Sequence, residues 1–363
     1  MAEMDWTKTG YPYLVEALVV DQNNVDVVLG NMRGFVYQGA SVNENYNSDS
    51  RVQAKLTTIV EEGASDGYIK QARLRMNLFI PSRDYMDEYV TGYVSNISEK
   101  TEHGYTRRDY TIEGTLWGLL EHKIEAPVTI SKGAKLIKCW TTLMGLTRMQ
   151  YSTSGAQDHV FTKNTVYEVG TPLSTILFDL SSKYDRMDND GHGRATLSKY
   201  VEPSKREATR TIDFTDPRGL AKQPIELTSS EWEAPGRAIV TATVSKTDDD
   251  GKTTQEVIVG SYNAPASHST SIASRGWLRA RSDTYTGVSE NPSKNELNAE
   301  AKDNWANSQG KNRKWTIPTV FANYHAGEVV NLIFSNDEIV KVLIETVKTD
   351  FETFSQDLTV KEV

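Results

Sequence analysis

Apolar and polar residues alternate with period two in the first third of the chain, and that pattern predicts strands. Ala72, Leu74, Met76 and Leu78 alternate with Arg73, Arg75 and Asn77, so one set should face a core and the other should face away. Val52, Ala54 and Leu56 begin the same pattern over Val52–Val60. The polar stretch Glu61–Gly67 lies between the two runs and ends in Asp66-Gly67, which predicts a hairpin. Tyr89–Ile97 and Gly104–Ile112 flank the polar Ser98–His103 and predict a second hairpin. The apolar cluster Leu116, Trp117, Leu119 and Leu120 predicts a short helix closing this unit.

The texture changes from about Val128. Leu136, Ile137, Trp140, Leu143 and Met144 form one helical stripe within Ala134–Leu146. Thr171-Pro172 opens a second helix, with threonine expected as cap and proline at the first helical position. Leu173, Ile176, Leu177 and Leu180 supply its buried side, and the loop Asp188–Gly193 is expected to interrupt structure after Tyr184. Strand texture returns after about Phe214. Ala238–Val244 and Thr253–Tyr262, joined by Asp248-Asp249-Asp250-Gly251, predict a third hairpin, and Trp277–Arg281 is a further candidate strand. Ser293 and Glu296 form a capping box before the narrow stripe Leu297, Ala299 and Ala301. Val329–Phe334, Ile339–Val347 and Phe354–Val363 predict C-terminal strands.

The fold class expected is mainly β with an α+β insertion: a β unit over 1–125, a mixed unit over 126–205 and a second β unit with a helical insertion over 206–363. The 363 residues suit two or three domains at about 100–200 residues each. A 38% hydrophobic fraction fits several thin β layers better than one thick core. The net charge of -9 argues against nucleic-acid recognition, which needs a basic face, and suits a surface that a polyanion passes without sticking.

The single cysteine, Cys139, excludes a disulfide within the chain. Its helical neighbours predict a buried, inert thiol. Met1–Thr9 has no apolar core of a secretory signal, and no run approaches the roughly 18 apolar residues of a membrane helix. A soluble protein made in the cytoplasm is expected, and Asn96-Ile97-Ser98 then carries no weight as a glycosylation acceptor.

Several patterns invite chemistry. Gly63-Ala64-Ser65-Asp66-Gly67 matches a nucleophile elbow, but a strand follows where that motif needs a helix, so Ser65 reads as a turn serine. Asp185, Asp188, Asn189, Asp190 and Gly191 suggest a calcium loop. Counting back from Gly191 puts Arg186 at the first ligand position and Leu197 at the twelfth, so a polar turn is favoured, with a weak cation site near Asp188–Asp190 left open. Gly191-His192-Gly193 is too short for a phosphate loop. The histidines at 103, 122, 159, 192, 268 and 325 have no zinc spacing. Arg107-Arg108 and Lys311-Asn312-Arg313-Lys314 read as a solvated strand edge and a loop, or else as subunit contacts. No catalytic, cofactor-binding or metal residue is assigned. Abundant carboxylates with seven tryptophans and 17 tyrosines leave a carbohydrate-binding or carbohydrate-degrading protein as the alternative.

The order of units resembles the tail-hub or baseplate-hub proteins of bacteriophages and contractile injection systems. The resemblance is carried by Gln38–Val42, the Val52–Val60 and Ile69–Ile80 pair, Val90–Ser98 with Tyr110–Gly114, the helix Pro172–Tyr184, and Gly327–Leu332 with two later strands. It implies two tail-tube-like β-barrels around a smaller mixed domain. It further implies a homotrimeric ring of pseudo-sixfold symmetry, which joins a hexameric tail tube or distal-tail protein above to a trimeric spike below. Tape-measure protein and DNA would pass through the lumen, DNA without specific binding, and the acidic charge balance predicts that acidic loops line it. A virion tail-tip location, no cofactor, no membrane insertion and no enzymatic activity follow from the same resemblance. A hexameric distal-tail component is the remaining alternative.

Overall fold

Strands dominate the computed structural model, which describes residues 14–20, 28–31, 35–61, 73–80, 84–102, 104–181, 185–216, 220–222, 224–229, 234–247, 253–285, 292–308 and 313–363. In chain order the elements begin with β1 (Leu14–Val20), β2 (Val28–Asn31), β3 (Phe35–Asn45), β4 (Val52–Glu61), β5 (Arg73–Ile80), β6 (Tyr85–Glu102) and β7 (Tyr105–Gly114). The middle of the chain holds α1 (Trp117–Glu121), β8 (Val128–Ile130), α2 (Leu136–Met144), β9 (Tyr151–Ser152), β10 (Thr165–Tyr167), α3 (Leu173–Ser181), β11 (Asp185–Asn189) and β12 (Ala195–Lys199). Then follow β13 (Arg210–Asp213), β14 (Glu226–Ser229), β15 (Arg237–Thr247), β16 (Thr253–Asn263), α4 (Ile272–Arg275), β17 (Ala280–Thr284), α5 (Lys294–Asn307), β18 (Arg313–Val320), β19 (Val329–Ile333), β20 (Ile339–Asp350) and β21 (Ser355–Glu362). The chain divides into two units, one of Met1–Ile225 with Thr316–Val360 and one of Glu226–Trp315 with Lys361–Val363.

In the first unit one sheet runs in the order β18-β21-β20-β3-β4-β7-β6-β5-β1-β2, with β19 on β20 and β13 parallel to β19. Its core draws on inward positions of many strands: Ala40 and Val42, Ala54 and Leu56, Leu74, Met76 and Leu78, Tyr110 and Ile112. The second predicted hairpin forms as β6 and β7, with Glu102 opposite Tyr105. Its turn is narrower than expected, because Ser98–Glu102 belongs to β6.

Two expectations about this sheet are corrected. Val52–Val60 does not pair with the strand at 73–80; β4 lies between β3 and β7, and β5 lies between β1 and β6. Alternation sets which face a residue takes but carries no information on the neighbouring strand. Nor do Arg73, Arg75 and Asn77 face away from the protein. They are as buried as the apolar set, at 2%, 4% and 4% exposure, because the second face of β5 is covered too.

The middle segment has its own core. Leu136, Trp140, Leu143 and Met144 of α2 pack with Leu173, Ile176, Leu177 and Leu180 of α3 and with Met187, Ala195 and Leu197 of β11 and β12. Pro172 does not take the first helical position as expected; it stands one residue before α3, which begins at Leu173. Thr171 does not cap that helix as predicted; its hydroxyl donates to the Glu168 carbonyl. The structure does not stop after Tyr184 either, for 185–189 and 195–199 form an antiparallel pair around a tight turn.

The second unit contains the third predicted hairpin, β15 with β16, and β17 parallel to β15. The candidate strand at Trp277–Arg281 is displaced, with β17 beginning at Ala280. The capping box forms, with the Ser293 hydroxyl accepting from Glu296 N and Glu296 accepting from Ser293 N. Leu297 and Ala301 are fully buried against Ala238, Val240 and Ala242. The expectations at Met1–Thr9, Ser65 with its turn, His103, Tyr184, Asp248–Gly251 and Lys311–Asn312 lie outside the described residues.

Candidate functional site

The residues with candidate chemistry in the first unit gather in three polar assemblies that tie distant segments to the sheet. The first is built on the turn at 190–194. β11 and β12 are joined by five residues, and Asp190 closes the turn by accepting from Arg194 N at 2.8 Å and Arg194 Nε at 2.7 Å. The turn is set directly on β6: Thr91 Oγ1 donates to the Gly191 carbonyl at 2.7 Å. A Cβ on Gly191 would overlap the Glu88 carbonyl, and one on Gly193 would stand 2.8 Å from Thr115 Oγ1. Beneath the turn, Arg75 Nε donates to Thr91 Oγ1 at 3.1 Å, and its Nη1 lies 3.5 Å from Glu88 Oε1. His192 Nδ1 meets the other Glu88 oxygen at 2.5 Å. The Gly-His-Gly sequence is thus a docking element: its glycines admit close approach and its histidine pairs with a strand carboxylate.

The second assembly surrounds Tyr46. Arg51 donates to the carbonyls of Tyr46 at 2.6 Å, Ser48 at 2.9 Å and Met187 at 3.1 Å. Arg186 donates to the Tyr46 carbonyl at 2.7 Å and lies 3.5 Å over its ring. Arg206 reaches the Tyr46 hydroxyl at 2.9 Å and the Gly327 carbonyl at 3.0 Å. Asp188 is held by Arg186 at 2.7 Å and Arg51 at 3.3 Å. The Asp188 and Asp190 carboxylates, considered above for a cation, therefore serve arginines. No group of three or more His, Cys, Asp or Glu that could hold a metal occurs among the described residues.

The third assembly is a histidine clamp in the loop before β19. His325 Nδ1 lies 3.0 Å from Glu44 Oε1 of β3, and its Nε2 lies 3.5 Å from Asp87 Oδ2 of β6. The Ala326 N–H donates to Glu44 Oε2 at 3.0 Å. Asn323, with a left-handed φ of 55°, donates to Tyr85 Oη and Asp87 Oδ2, each at 2.7 Å, and accepts from the buried Tyr89 hydroxyl. Burial opposes charge on His325, but Glu44 and then Asp87 outweigh it and hold the imidazolium well above the ordinary histidine range. Burial alone would raise Asp87; hydrogen bonding and charge from His325 bring it below the ordinary range. Tyr324, beside the clamp, is pushed up to about 12 by burial. With a carboxylate on each ring nitrogen, His325 acts as a cationic bridge between two strands.

The remaining candidates are dispersed. Cys139 is half-buried against the core of the middle segment, and burial raises its thiol pKa, which disfavours the reactive thiolate. Arg107 and Arg108 are not on a strand edge, since β7 pairs on both sides; Arg108 meets Glu99 at 2.8 Å and Arg107 meets Asp109 at 3.2 Å. Arg313 lies in β18 rather than in a loop and pairs with both oxygens of Glu362, at 2.7 and 3.1 Å. His159 lies 3.9 Å from Asp185, and His268 lies 2.9 Å from the Thr270 hydroxyl. Sequence reasoning missed Glu44, Asp87 and Asn323, which sit singly within strands or loops.

A long mixed-direction sheet with a small α/β segment is a fold that known structures share. A tail protein from Neisseria meningitidis superposes with a TM-score of 0.67 at 9% identity, over 97% of both chains. The 43 kDa tail protein of prophage MuSo2 from Shewanella oneidensis gives 0.63 at 12% identity, over 96% of this chain and 98% of that one. An Escherichia coli component of the type VI secretion system, itself structurally similar to bacteriophage tail proteins, gives 0.54 at 8% identity, over 91% of this chain and 73% of that one. No protein-family model matches the chain, and a comparison with curated protein sequences finds no match either. The chain has the tail-protein fold of phages and their type VI relatives, and it has that fold over almost its whole length. No helix among the described residues is long and apolar enough to cross a membrane.

Proposed function

We propose that the protein is a structural hub of a phage tail tip or baseplate, a virion component without enzymatic activity. Three copies form a pseudo-sixfold ring from two tube-like barrels per chain, with a smaller mixed domain beside them. The ring joins a hexameric tube or distal-tail protein to a trimeric spike, and tape-measure protein and DNA pass through a lumen lined by acidic loops. The observation that carries this reading is agreement in fold with two tail proteins over at least 96% of every chain compared. The use of Asp188, Asp190, Glu88 and His325 in fastening segments together supports a scaffold role.

The mass of the purified chain in solution tests the proposal, alone and mixed with the tube and spike proteins of its own particle. Three copies of the 40.6 kDa chain per complex are expected. Six copies per complex would replace the hub with a distal-tail role, and turnover of a polysaccharide would replace it with an enzyme.

A further inference from the structure

A cleft of about 330 Å³ opens beside the start of β5, lined among others by Arg73, Tyr93, His122, Leu146, Arg148 and Met149. Three of those side chains are basic, and no carboxylate lines it among the described residues. On a chain carrying -9, that is a local reversal of sign. The walls are well built. Arg73 and Tyr93 are cross-strand partners in β5 and β6, and the Arg73 guanidinium lies 5.6 Å from the ring centre. Trp117 backs Tyr93 at 6.3 Å. Gly118 leaves room where a Cβ would stand 2.6 Å from the Met149 Cε and 3.0 Å from the Tyr93 ring. The segment after α2 is folded onto itself by Thr147, whose hydroxyl donates to the Met144 carbonyl at 2.8 Å and accepts from Met149 N at 3.2 Å. Arg148 is exposed at the rim, next to Leu146, which is 55% exposed.

We propose that this cleft receives a carboxylate side chain, carried on an apolar-flanked segment of a partner protein. A guanidinium fork matches the two oxygens of a carboxylate, and the exposed Arg148 supplies that fork at the rim. Leu146 and Met149 supply apolar surface for the neighbours of the acidic residue. A nucleic-acid backbone suits the site less well. It needs a continuous basic track, whereas here the positive charge is confined to one cleft on an acidic chain. The proposal is independent of the hub reading, since it specifies the chemistry of a partner and not the particle.

The test uses the full chain labelled with 13C in its methionine methyl groups, with Met149 assigned through Met149→Leu. Three probes are titrated: acetyl-Leu-Glu-Leu-amide, its glutamine counterpart, and inorganic phosphate. Saturable movement of the Met149 signal by the glutamate peptide is expected. Binding about tenfold weaker is expected for the glutamine peptide and for the Arg148→Gln variant. Because Arg148 is exposed, the other methionine signals should stay in place in that variant and report an intact fold. Equal binding of both peptides, unchanged binding by Arg148→Gln, tighter binding of phosphate than of the glutamate peptide, or no movement of Met149 at all would each overturn the assignment.

Discussion

Gly191 lies so close to Glu88 that any Cβ would overlap the Glu88 carbonyl. The contact joins a turn of the middle segment to the backbone of β6. Gly191→Ala should therefore destabilise the first unit by about 3 kcal/mol, because strand backbone cannot yield as a flexible side chain would. Gly155→Ala is the control. Gly155 has a φ of 88° with nothing within 4 Å of its missing Cβ, so only the left-handed penalty applies, about 1–2 kcal/mol. Urea denaturation of the two variants should rank them in that order; equal losses would mean that the turn is not seated on β6.

The clamp at His325 predicts a pH dependence with a definite sign. The folded histidine pKa is raised. Its contribution is complete below the unfolded value of about 6.5 and is lost as pH rises through the folded value. The Asp87 pKa is lowered. Its contribution is complete above about 3.9 and is lost as pH falls through the folded value. The His325 side chain is 35% exposed, so screening limits its share to about 1 kcal/mol. His325→Gln should lose stability relative to the parent near neutral pH, and the two should converge as the medium becomes alkaline. Thermal melts of both proteins across pH check this; a constant gap would show that packing rather than charge is at work.

These features differ in how far the sequence announces them. The β6–β7 pair was legible because both strands and their turn are contiguous, and the Ser293–Glu296 box because capping is decided within four residues. The neighbours of β4 were not legible, since pairing with β3 and β7 is chosen by the whole sheet. The burial of Arg73 and Arg75 contradicted a sound period-two pattern. Their cover comes in part from a turn whose Gly191 contacts Thr91 100 residues away along the chain. Two glycines around one histidine were the available signal for that turn, since such a turn permits a close approach. Glu44 and Asp87 had no local signal, because a lone carboxylate in a strand looks the same whether it faces water or a histidine.

In the second unit, the missing side chain of Gly260 makes room for α5: a Cβ there would overlap Leu297. Gly260→Ala should push the helix from the sheet and cost about 2–3 kcal/mol. Leu297→Ala removes a fully buried side chain from the same contact and should cost about 2–4 kcal/mol. Because both act on one interface, the double variant should lose less than the sum. Ser293→Ala should cost about 1 kcal/mol through the cap alone and add to either. A chemical-denaturation cycle measures all of these, and strict additivity of Gly260→Ala with Leu297→Ala would refute the shared contact.

Arg51 fastens its loop to β11 through a specific geometry. It has a left-handed φ of 62°, a conformation disfavoured for a long side chain. Its guanidinium fork spans three carbonyls, two in its own loop and that of Met187 in β11. Burial lowers the Arg51 pKa, and Asp188 opposes that shift. A lysine ammonium cannot reproduce the spacing of Nη1 on the Tyr46 and Ser48 carbonyls and Nη2 on that of Met187, so Arg51→Lys should cost about 2 kcal/mol, and Arg51→Ala should cost more because buried acceptors are left unpaired. Arg51→Gly relieves the backbone and should recover part of the alanine loss. Asp188→Asn should cost well under 1 kcal/mol, because that carboxylate is 39% exposed and its pairing is screened. The expected order of stability is therefore Asp188→Asn, Arg51→Lys, Arg51→Gly and Arg51→Ala. If Asp188→Asn proved as damaging as Arg51→Ala, the ion pair and not the carbonyl fork would be what fastens the loop to β11.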